Sequence, residues 1–195
     1  MVTWLAVADS PYAAGFLEVI QEPVRSITYN GGIRLLRPDV YWLFDSTACR
    51  EYAAEAYAAR INGTWLVTLL RDGQALVDRG VDDFDEFIAI EGQVSARLDR
   101  RQWFNLVFSR PYTWQYALHR GATRLVFVGQ EGYPPGDKRH RHCREFFEPM
   151  LAQAVQIWPE VEFIFCGEPN YALPAEVVQY RTPNEYVERE LCVLN

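Results

Sequence analysis

The run of residues 137–144, DKRHRHCR, holds the highest density of chemically active side chains in the sequence. Four cations and two histidines lie in it: Lys138, Arg139, Arg141, Arg144, His140 and His142. Arginine side chains and the free N–H groups at the start of a helix attract phosphate, and a neighbouring imidazole can exchange a proton. Nearby positive charge favours the neutral imidazole, which can act as a base. The run predicts a phosphate-binding turn with a proton-transfer group, and a solvated charged loop is the alternative.

The same run is a poor candidate for a metal site. His140, His142 and Cys143 offer donor atoms, but side chains one or two positions apart in a helix do not face one another. Their spacing also matches no standard set of zinc ligands. The cysteines of the chain lie far apart and form no CxxC pair, so buried free thiols are expected. We therefore expect no bound metal.

Polar residues follow most of the apolar runs of the chain and form a second candidate set. The carboxyl ends of the strands in an open α/β sheet meet at one edge, where such folds bind ligands. The residues that this rule brings together are Asp9, Ser10, Asn30, Asp45, Glu131 and Asn170. Turns and helix caps also select Asp, Ser, Asn and Gly, so each position alone has a structural explanation. Their convergence predicts a binding site at this edge of the sheet.

Short runs rich in Val, Ile, Leu, Phe and Trp provide the strands that position these residues, and helical spacing between them is typical of a parallel, doubly covered sheet. We predict strands over 3–8, 24–29, 39–44, 64–70, 124–129 and 161–166, and helices over 47–60, 112–120 and 143–157. Ser46 or Thr47 is expected to cap the first helix, Gly121 to end the second and Pro159 to end the third. Residues 72–103, which acidic residues and glycines interrupt, are expected to form an insertion or a lid.

These elements predict one α/β, Rossmann-like domain over residues 1–195, with a mostly parallel sheet and helices on both faces. Asp and Glu outnumber Lys and Arg by 26 to 19, and the net charge of −7 argues against a broad nucleic-acid surface. We find no apolar run that could span a membrane and no secretion signal at the start, so a soluble, cytoplasmic protein is expected. GxGxxG and Walker sequences are absent, which disfavours a dinucleotide dehydrogenase or a P-loop enzyme.

The stretch 109–131, SRPYTWQYALHRGATRLVFVGQE, resembles a segment of the bacterial lipooligosaccharide sialyltransferases and of the related motility-accessory and 6-hydroxymethylpterin diphosphokinase-like proteins. In that superfamily a serine, a helix, Leu-Gly, a strand and Gly-x-Asp occur in this order. Here Ser109, Gly121 and Glu131 keep the spacing without a gap, with Glu in place of Asp. Further similarities follow in order along the chain: Pro11 in the first loop, Asn30 and Asp45 after the second and third strands, and residues 166–173.

The resemblance implies a Rossmann-type transferase that binds a nucleotide-sugar and passes the sugar to a hydroxyl-bearing acceptor. Separately from the resemblance, we expect no essential metal or other cofactor. In the sialyltransferases the general base is a histidine shortly before the penultimate helix, and His142 matches it best, with His140 as the alternative. The residues that would hold the nucleotide and the sugar are Ser10, Asn30, Ser109 and Asn170. The leaving phosphate would be neutralised by Arg139, Arg141 or Arg144.

Two other functions remain open from the sequence. The same superfamily includes diphosphate transfer, in which Asp45 and Glu131 would hold Mg²⁺ and the basic run would bind ATP. The third possibility is a nucleotide- or sugar-phosphate-binding protein in which the altered first loop, residues 8–11, has lost catalysis. Dependence of nucleotide binding on magnesium separates the second function from the first, and binding without product formation identifies the third.

Overall fold

Eight parallel strands form the central sheet of the computed structural model, which describes residues 1–20, 24–71, 74–75, 81, 83–106 and 108–192. The strands of the described residues are β1 (Thr3–Val7), β2 (Arg25–Tyr29), β3 (Val40–Trp42), β4 (Trp65–Arg71), β5 (Gln74–Ala75), β6 (Glu86–Ala89), β7 (Glu91–Ser95), β8 (Phe104–Leu106), β9 (Arg124–Val128), β10 (Glu162–Cys166) and β11 (Val178–Tyr180). The sheet order is β11-β10-β9-β1-β2-β3-β4, with β6 paired in parallel and β5 antiparallel to β4. A separate pair is formed by β7 and β8.

Helices lie between several of the parallel strands. They are α1 (Ala13–Val19), α2 (Ser46–Glu51), α3 (Ala53–Ile61), α4 (Ser109–His119), α5 (Glu148–Ile157) and α6 (Pro183–Cys192), with a 3₁₀ turn at Asn30–Arg34 and a π turn at Cys143–Phe147. The strand order reverses between β1 and β9, since β2 and β3 follow on one side and β10 and β11 on the other. The predicted α/β, Rossmann-like fold is confirmed.

Alternation of side chains along β1 shows how the sheet is covered. Trp4 and Ala6 face a core that includes α4 and α5, whereas Leu5 and Val7 pack with α1 and α6. The helices α2 and α3 cover the side chain of Tyr41, which lies in register with Thr28 and so on the face of Val7. Both faces are therefore buried, which is why the strands are continuous apolar runs.

The helix α4 is enclosed along its length, with every residue from Ser109 to Leu118 buried. One side of the helix packs against the sheet. The other side is covered by the preceding segment of the chain, and side chains of α4 form hydrogen bonds with the backbone of that segment. Gln115 Nε2 donates to the carbonyl oxygens of Asp99 and Gln102 at 3.0 and 2.8 Å, and the hydroxyl of Tyr112 accepts from the N–H of Leu106 at 2.6 Å. A helix buried all round needs such partners for its polar groups.

Several predicted boundaries need correction. The helix expected over 47–60 is two helices, α2 and α3, which meet at Tyr52, and its cap is neither Ser46 nor Thr47. The carboxylate of Asp45 accepts from the N–H of Ala48 at 2.7 Å instead, because aspartate at this position reaches the free N–H groups of the first turn. Gly121, at φ +79°, ends α4 as predicted.

Other predictions concern the cysteines and the segment 72–103. Cys49, Cys143 and Cys166 are buried free thiols, as expected. Within the segment, β6 extends the main sheet and β7 pairs with β8, while residues 72–73, 76–80 and 82 lie outside the described part of the chain. The insertion or lid therefore stays a prediction.

Candidate functional site

A cavity of about 240 Å³ opens where β2 and β3 end and α4 begins. Its walls are largely aromatic, with polar groups at a few points, as is usual for small-molecule sites. The lining residues are Tyr29, Asn30, Phe44, Asp45, Phe108, Ser109, Arg110, Tyr133 and Phe147. Three of the predicted site residues lie in the cavity wall: Asn30 and Asp45, from the rule on strand ends, and Ser109, from the resemblance.

Arg110 is the only cationic side chain among the residues that line this cavity, and it is only 9% exposed. Its Nε donates to the hydroxyl of Tyr29 at 3.2 Å and its Nη1 to the carbonyl oxygen of Gln130 at 3.0 Å. One face of the guanidinium lies 4.3 Å from the ring of Phe147. Within the described residues, no carboxylate pairs with Arg110 and Nη2 forms no hydrogen bond. The charge of Arg110 acts against the burial that raises the pKa of Glu131, so this carboxyl lies within electrostatic range of the guanidinium but forms no ion pair with it. The buried guanidinium therefore has no directly paired counter-charge.

The start of α4 adds further positive potential at the same place. Phe108, the residue before the helix, provides no side-chain cap. The N–H groups of Ser109 and Arg110 belong to the first turn, where no carbonyl of the same helix can accept from them. Pro111 follows, which suits a first turn because its missing N–H would be unpaired anyway. The positive end of the helix dipole therefore reinforces the charge of Arg110.

Asn30 and Asp45 form the opposite part of the wall, and both are held by backbone interactions. Asn30 has φ +46°, a left-handed conformation that asparagine tolerates better than most residues, and its carbonyl oxygen accepts from the hydroxyl of Tyr41 at 2.9 Å. Asp45 caps α2 through Oδ1. This bond orients the Asp45 carboxylate.

The basic run 137–144 lies beside the cavity rather than in its wall, and Tyr133 connects the two. His140 Nδ1 is 2.7 Å from the carbonyl oxygen of Tyr133, and the guanidinium of Arg139 lies 4.2 Å from the Tyr133 ring. Arg139 also forms an ion pair with Asp137 at 2.8 Å. Lys138, Arg141 and Arg144 are exposed on this turn.

His142 contacts two of the aromatic rings that line the cavity. Its ring centre lies 4.9 Å from that of Phe108 and 6.3 Å from that of Tyr133, and both of these rings line the cavity. The His142 side chain is half-buried, and its Nδ1 is enclosed without a hydrogen-bond partner among the described residues. Ring packing against Phe108, Tyr133 and Phe146 therefore positions the imidazole.

The remaining predicted residues cluster at the reversal of strand order, outside the cavity wall. Glu131 is buried against Gly167 after β10, and the N–H of Asn170 donates to the Glu131 carbonyl oxygen at 2.7 Å. Ser10 is buried and Asp9 is exposed, with its carboxylate against Gly31. Protein side chains thus occupy the position where doubly wound folds commonly bind their ligands.

Burial raises the pKa of the Glu131 carboxyl, whose Oε1 has no hydrogen-bond partner in the described part of the protein. The ordinary pKa of a glutamate carboxyl is 4.5, so the unfolded chain releases this proton above pH 4.5 while the folded protein still holds it. The free energy of unfolding therefore falls as pH rises from 4.5 toward the raised pKa of the folded state. We expect Glu131→Gln to remove this loss, so that the variant gains stability relative to the wild type as pH rises above 4.5. Urea unfolding at several pH values measures the difference.

Glu55→Gln is the matched control with the opposite sign. Hydrogen bonding to its own backbone and to Arg34 lowers the pKa of Glu55, so this carboxylate stabilises the fold above its ordinary range. Its variant should lose stability against the wild type as pH rises. The same pH trend in both variants would contradict a buried, proton-holding Glu131.

Sequence reasoning missed Arg110 and the aromatic wall. Arg110 stands directly beside the predicted Ser109, in the first turn of a helix whose later residues are mostly apolar or aromatic. A cation in such a helix is the signal that could have identified it, because burying an arginine is costly without a compensating partner.

The comparisons with known proteins do not extend this description. No family model matches the chain, and no curated protein or solved structure matches it. In the described residues, no group of three or more His, Cys, Asp or Glu side chains is arranged to hold a metal ion. None of the helices described is long and apolar enough to cross a membrane.

Proposed function

We propose that this protein is a glycosyltransferase-like enzyme that binds a nucleotide-sugar and transfers the sugar to a hydroxyl acceptor. One observation carries the proposal: the guanidinium of Arg110 is buried at an aromatic cavity without a carboxylate partner among the described residues. A phosphate would supply the missing negative charge, and the start of α4 would add hydrogen-bond donors to it. The resemblance of residues 109–131 to the lipooligosaccharide sialyltransferases supports the same chemistry.

The rest of the cavity suits the parts of the donor next to the phosphate. Five aromatic side chains offer faces for a nucleobase or a sugar ring: Tyr29, Phe44, Phe108, Tyr133 and Phe147. The volume of about 240 Å³ lies below the usual size of pockets for drug-sized ligands, so the donor would extend beyond the cavity. The acceptor would then approach from the side of the basic run.

His142 would act as the general base of the transfer. It would take the proton of the acceptor hydroxyl, whose oxygen forms a bond to the anomeric carbon while the bond from that carbon to the phosphate oxygen breaks. The bonding electrons remain on the leaving phosphate, whose added negative charge Arg110 would stabilise. Arg139, Arg141 and Arg144 would attract the anionic donor from solution, since they lie on the turn beside the cavity.

The magnesium-dependent alternative has less support. Asp45 lines the cavity but one of its oxygens already caps α2, and Glu131 packs against Gly167 outside the cavity wall. Diphosphate transfer would need both carboxylates at one ion. Loss of nucleotide binding on removal of Mg²⁺ would nevertheless favour it.

Thermal unfolding with nucleoside mono- and diphosphates, followed by mass spectrometry of candidate nucleotide-sugars, tests the proposal. A ligand at 100 times its Kd stabilises the folded state by about 2.7 kcal/mol, which for a chain of this length shifts Tm by roughly 5–11 °C. We expect such a shift with at least one nucleotide in EDTA, and release of that nucleotide from its sugar. A shift without turnover for any donor and acceptor would indicate a binding protein, and no shift would contradict nucleotide binding.

A further inference from the structure

The hydroxyl of Tyr29 contacts Arg110 in the cavity wall, and this contact fixes one of the hydrogen-bonding roles of the hydroxyl. Arg110 Nε can only donate, so the Tyr29 oxygen must accept in their contact of 3.2 Å. A tyrosine hydroxyl has one hydrogen of its own, and within the described residues the Tyr29 hydroxyl forms no other hydrogen bond. Because Tyr29 lines the cavity, this hydrogen is available to a ligand there.

Arg110 presents a second unused donor to the same space. Its Nε and Nη1 are engaged by Tyr29 and by the carbonyl oxygen of Gln130, and Phe147 covers one face of the guanidinium. These contacts fix the orientation of the group and leave Nη2 without a partner in the described part of the chain. Two donors therefore remain unused where Tyr29 and Arg110 meet: the charged Nη2 group and the neutral hydroxyl.

We propose that the Tyr29 hydroxyl and Arg110 Nη2 together bind two oxygens of one phosphate group, with Tyr29 as a direct ligand contact. This inference rests on the proposed function, and it places the phosphate of the bound nucleotide against Tyr29 and Arg110. The free N–H groups at the start of α4, next to Ser109 in the cavity wall, are a third set of hydrogen-bond donors for the phosphate. A terminal phosphate, such as that of the released nucleotide, has three free oxygens for three sets of donors, whereas a carboxylate has two, which favours a terminal phosphate.

The test compares the affinity of inorganic phosphate for the wild type and for Tyr29→Phe by isothermal titration calorimetry. Phenylalanine keeps the ring and removes only the hydroxyl, so we expect binding about tenfold weaker or more. Tyr171→Phe is the matched control, because its hydroxyl donates to the same Gln130 carbonyl at 3.0 Å but does not line the cavity. Its affinity for phosphate should stay within about threefold of the wild type.

A second variant covers the case in which Tyr29→Phe does not fold. Incorporation of 3-fluorotyrosine at position 29 keeps the hydroxyl and makes it a stronger donor, so phosphate should bind more tightly below neutral pH. A purely structural role of Tyr29 would leave this affinity unchanged. Equal phosphate affinity of the wild type and Tyr29→Phe, or absence of phosphate binding to the wild type, overturns the inference.

Two further titrations distinguish this inference from the proposed function. Acetate that binds as tightly as phosphate, with the same loss in Tyr29→Phe, would overturn the assignment to phosphate in favour of a carboxylate. Phosphate binding that depends on Tyr29, together with no binding of CMP or UDP, would support the inference and contradict the nucleotide proposal. CMP binding that is independent of Tyr29 would do the reverse.

Discussion

Arg110→Met is expected to weaken nucleotide binding strongly while leaving the folded protein close to wild-type stability. The substitution removes the buried charge at the cavity and the donor that Nη2 offers to a ligand. A hydrogen bond to a charged group contributes about 1.5–3 kcal/mol to binding. In a buried site, loss of the attraction between the arginine charge and the phosphate adds to this cost. We therefore expect nucleotide affinity to fall by about 100-fold or more. Calorimetric titration of the nucleotide that stabilises the wild type measures this loss.

The stability of the same variant distinguishes a functional arginine from a structural one. Arg110 carries a desolvation cost without a carboxylate in the described residues, and replacing such a group by an apolar side chain is often neutral or stabilising. Its hydrogen bond to Gln130 is partly replaceable, since the Tyr171 hydroxyl donates to the same carbonyl oxygen. Methionine can also pack against the Phe147 ring. Urea unfolding should give a free energy within about 1 kcal/mol of the wild type.

Arg34→Met is the control for loss of a cation alone. Arg34 is 53% exposed and pairs with Glu55 on the surface, and it does not line the cavity. Nucleotide affinity of this variant should match that of the wild type within about twofold, because solvent and salt screen an exposed charge that does not line the cavity. Strong unfolding of Arg110→Met, or retention of its nucleotide binding, would mean that Arg110 serves the fold instead.

The parallel sheet could be predicted because its strands are buried on both faces and so appear as continuous apolar runs. All six predicted strands are present, with boundaries shifted by one or two residues. The elements that sequence reasoning missed lack this signal. The helix α1 is seven residues long, β11 is three residues long, and α6 is dominated by polar and charged residues. Tertiary packing, more than local pattern, determines such elements.

The candidate site was only partly predictable, for a geometric reason. The carboxyl ends of all strands do meet at one edge, but the reversal of order between β1 and β9 divides that edge. Asn30 and Asp45 follow strands on one side and line the cavity, whereas Glu131 and Asn170 pack together at the reversal. The cavity lies on the side of the edge where α4 begins, with Ser109 and Arg110 in its wall. The position of α4 depends on tertiary packing, which the local sequence pattern does not show.

His142→Ala is expected to lower turnover of the nucleotide-sugar by about 100- to 10,000-fold, the usual contribution of a positioned base. Donor affinity should change much less, because His142 contacts the cavity only through the rings of Phe108 and Tyr133. The loss would therefore appear in kcat more than in the KM of the donor. Steady-state kinetics with saturating acceptor, together with calorimetric titration of the donor, separate these two quantities.

His140→Ala is the matched control, since it removes a second imidazole from the same turn. His140 is engaged through Nδ1 with the Tyr133 carbonyl oxygen, so its loss should loosen the turn and reduce turnover by less than about tenfold. Full turnover in His142→Ala, or an equal loss of turnover in His140→Ala, would remove His142 from the reaction and leave Arg110 as a binding group alone.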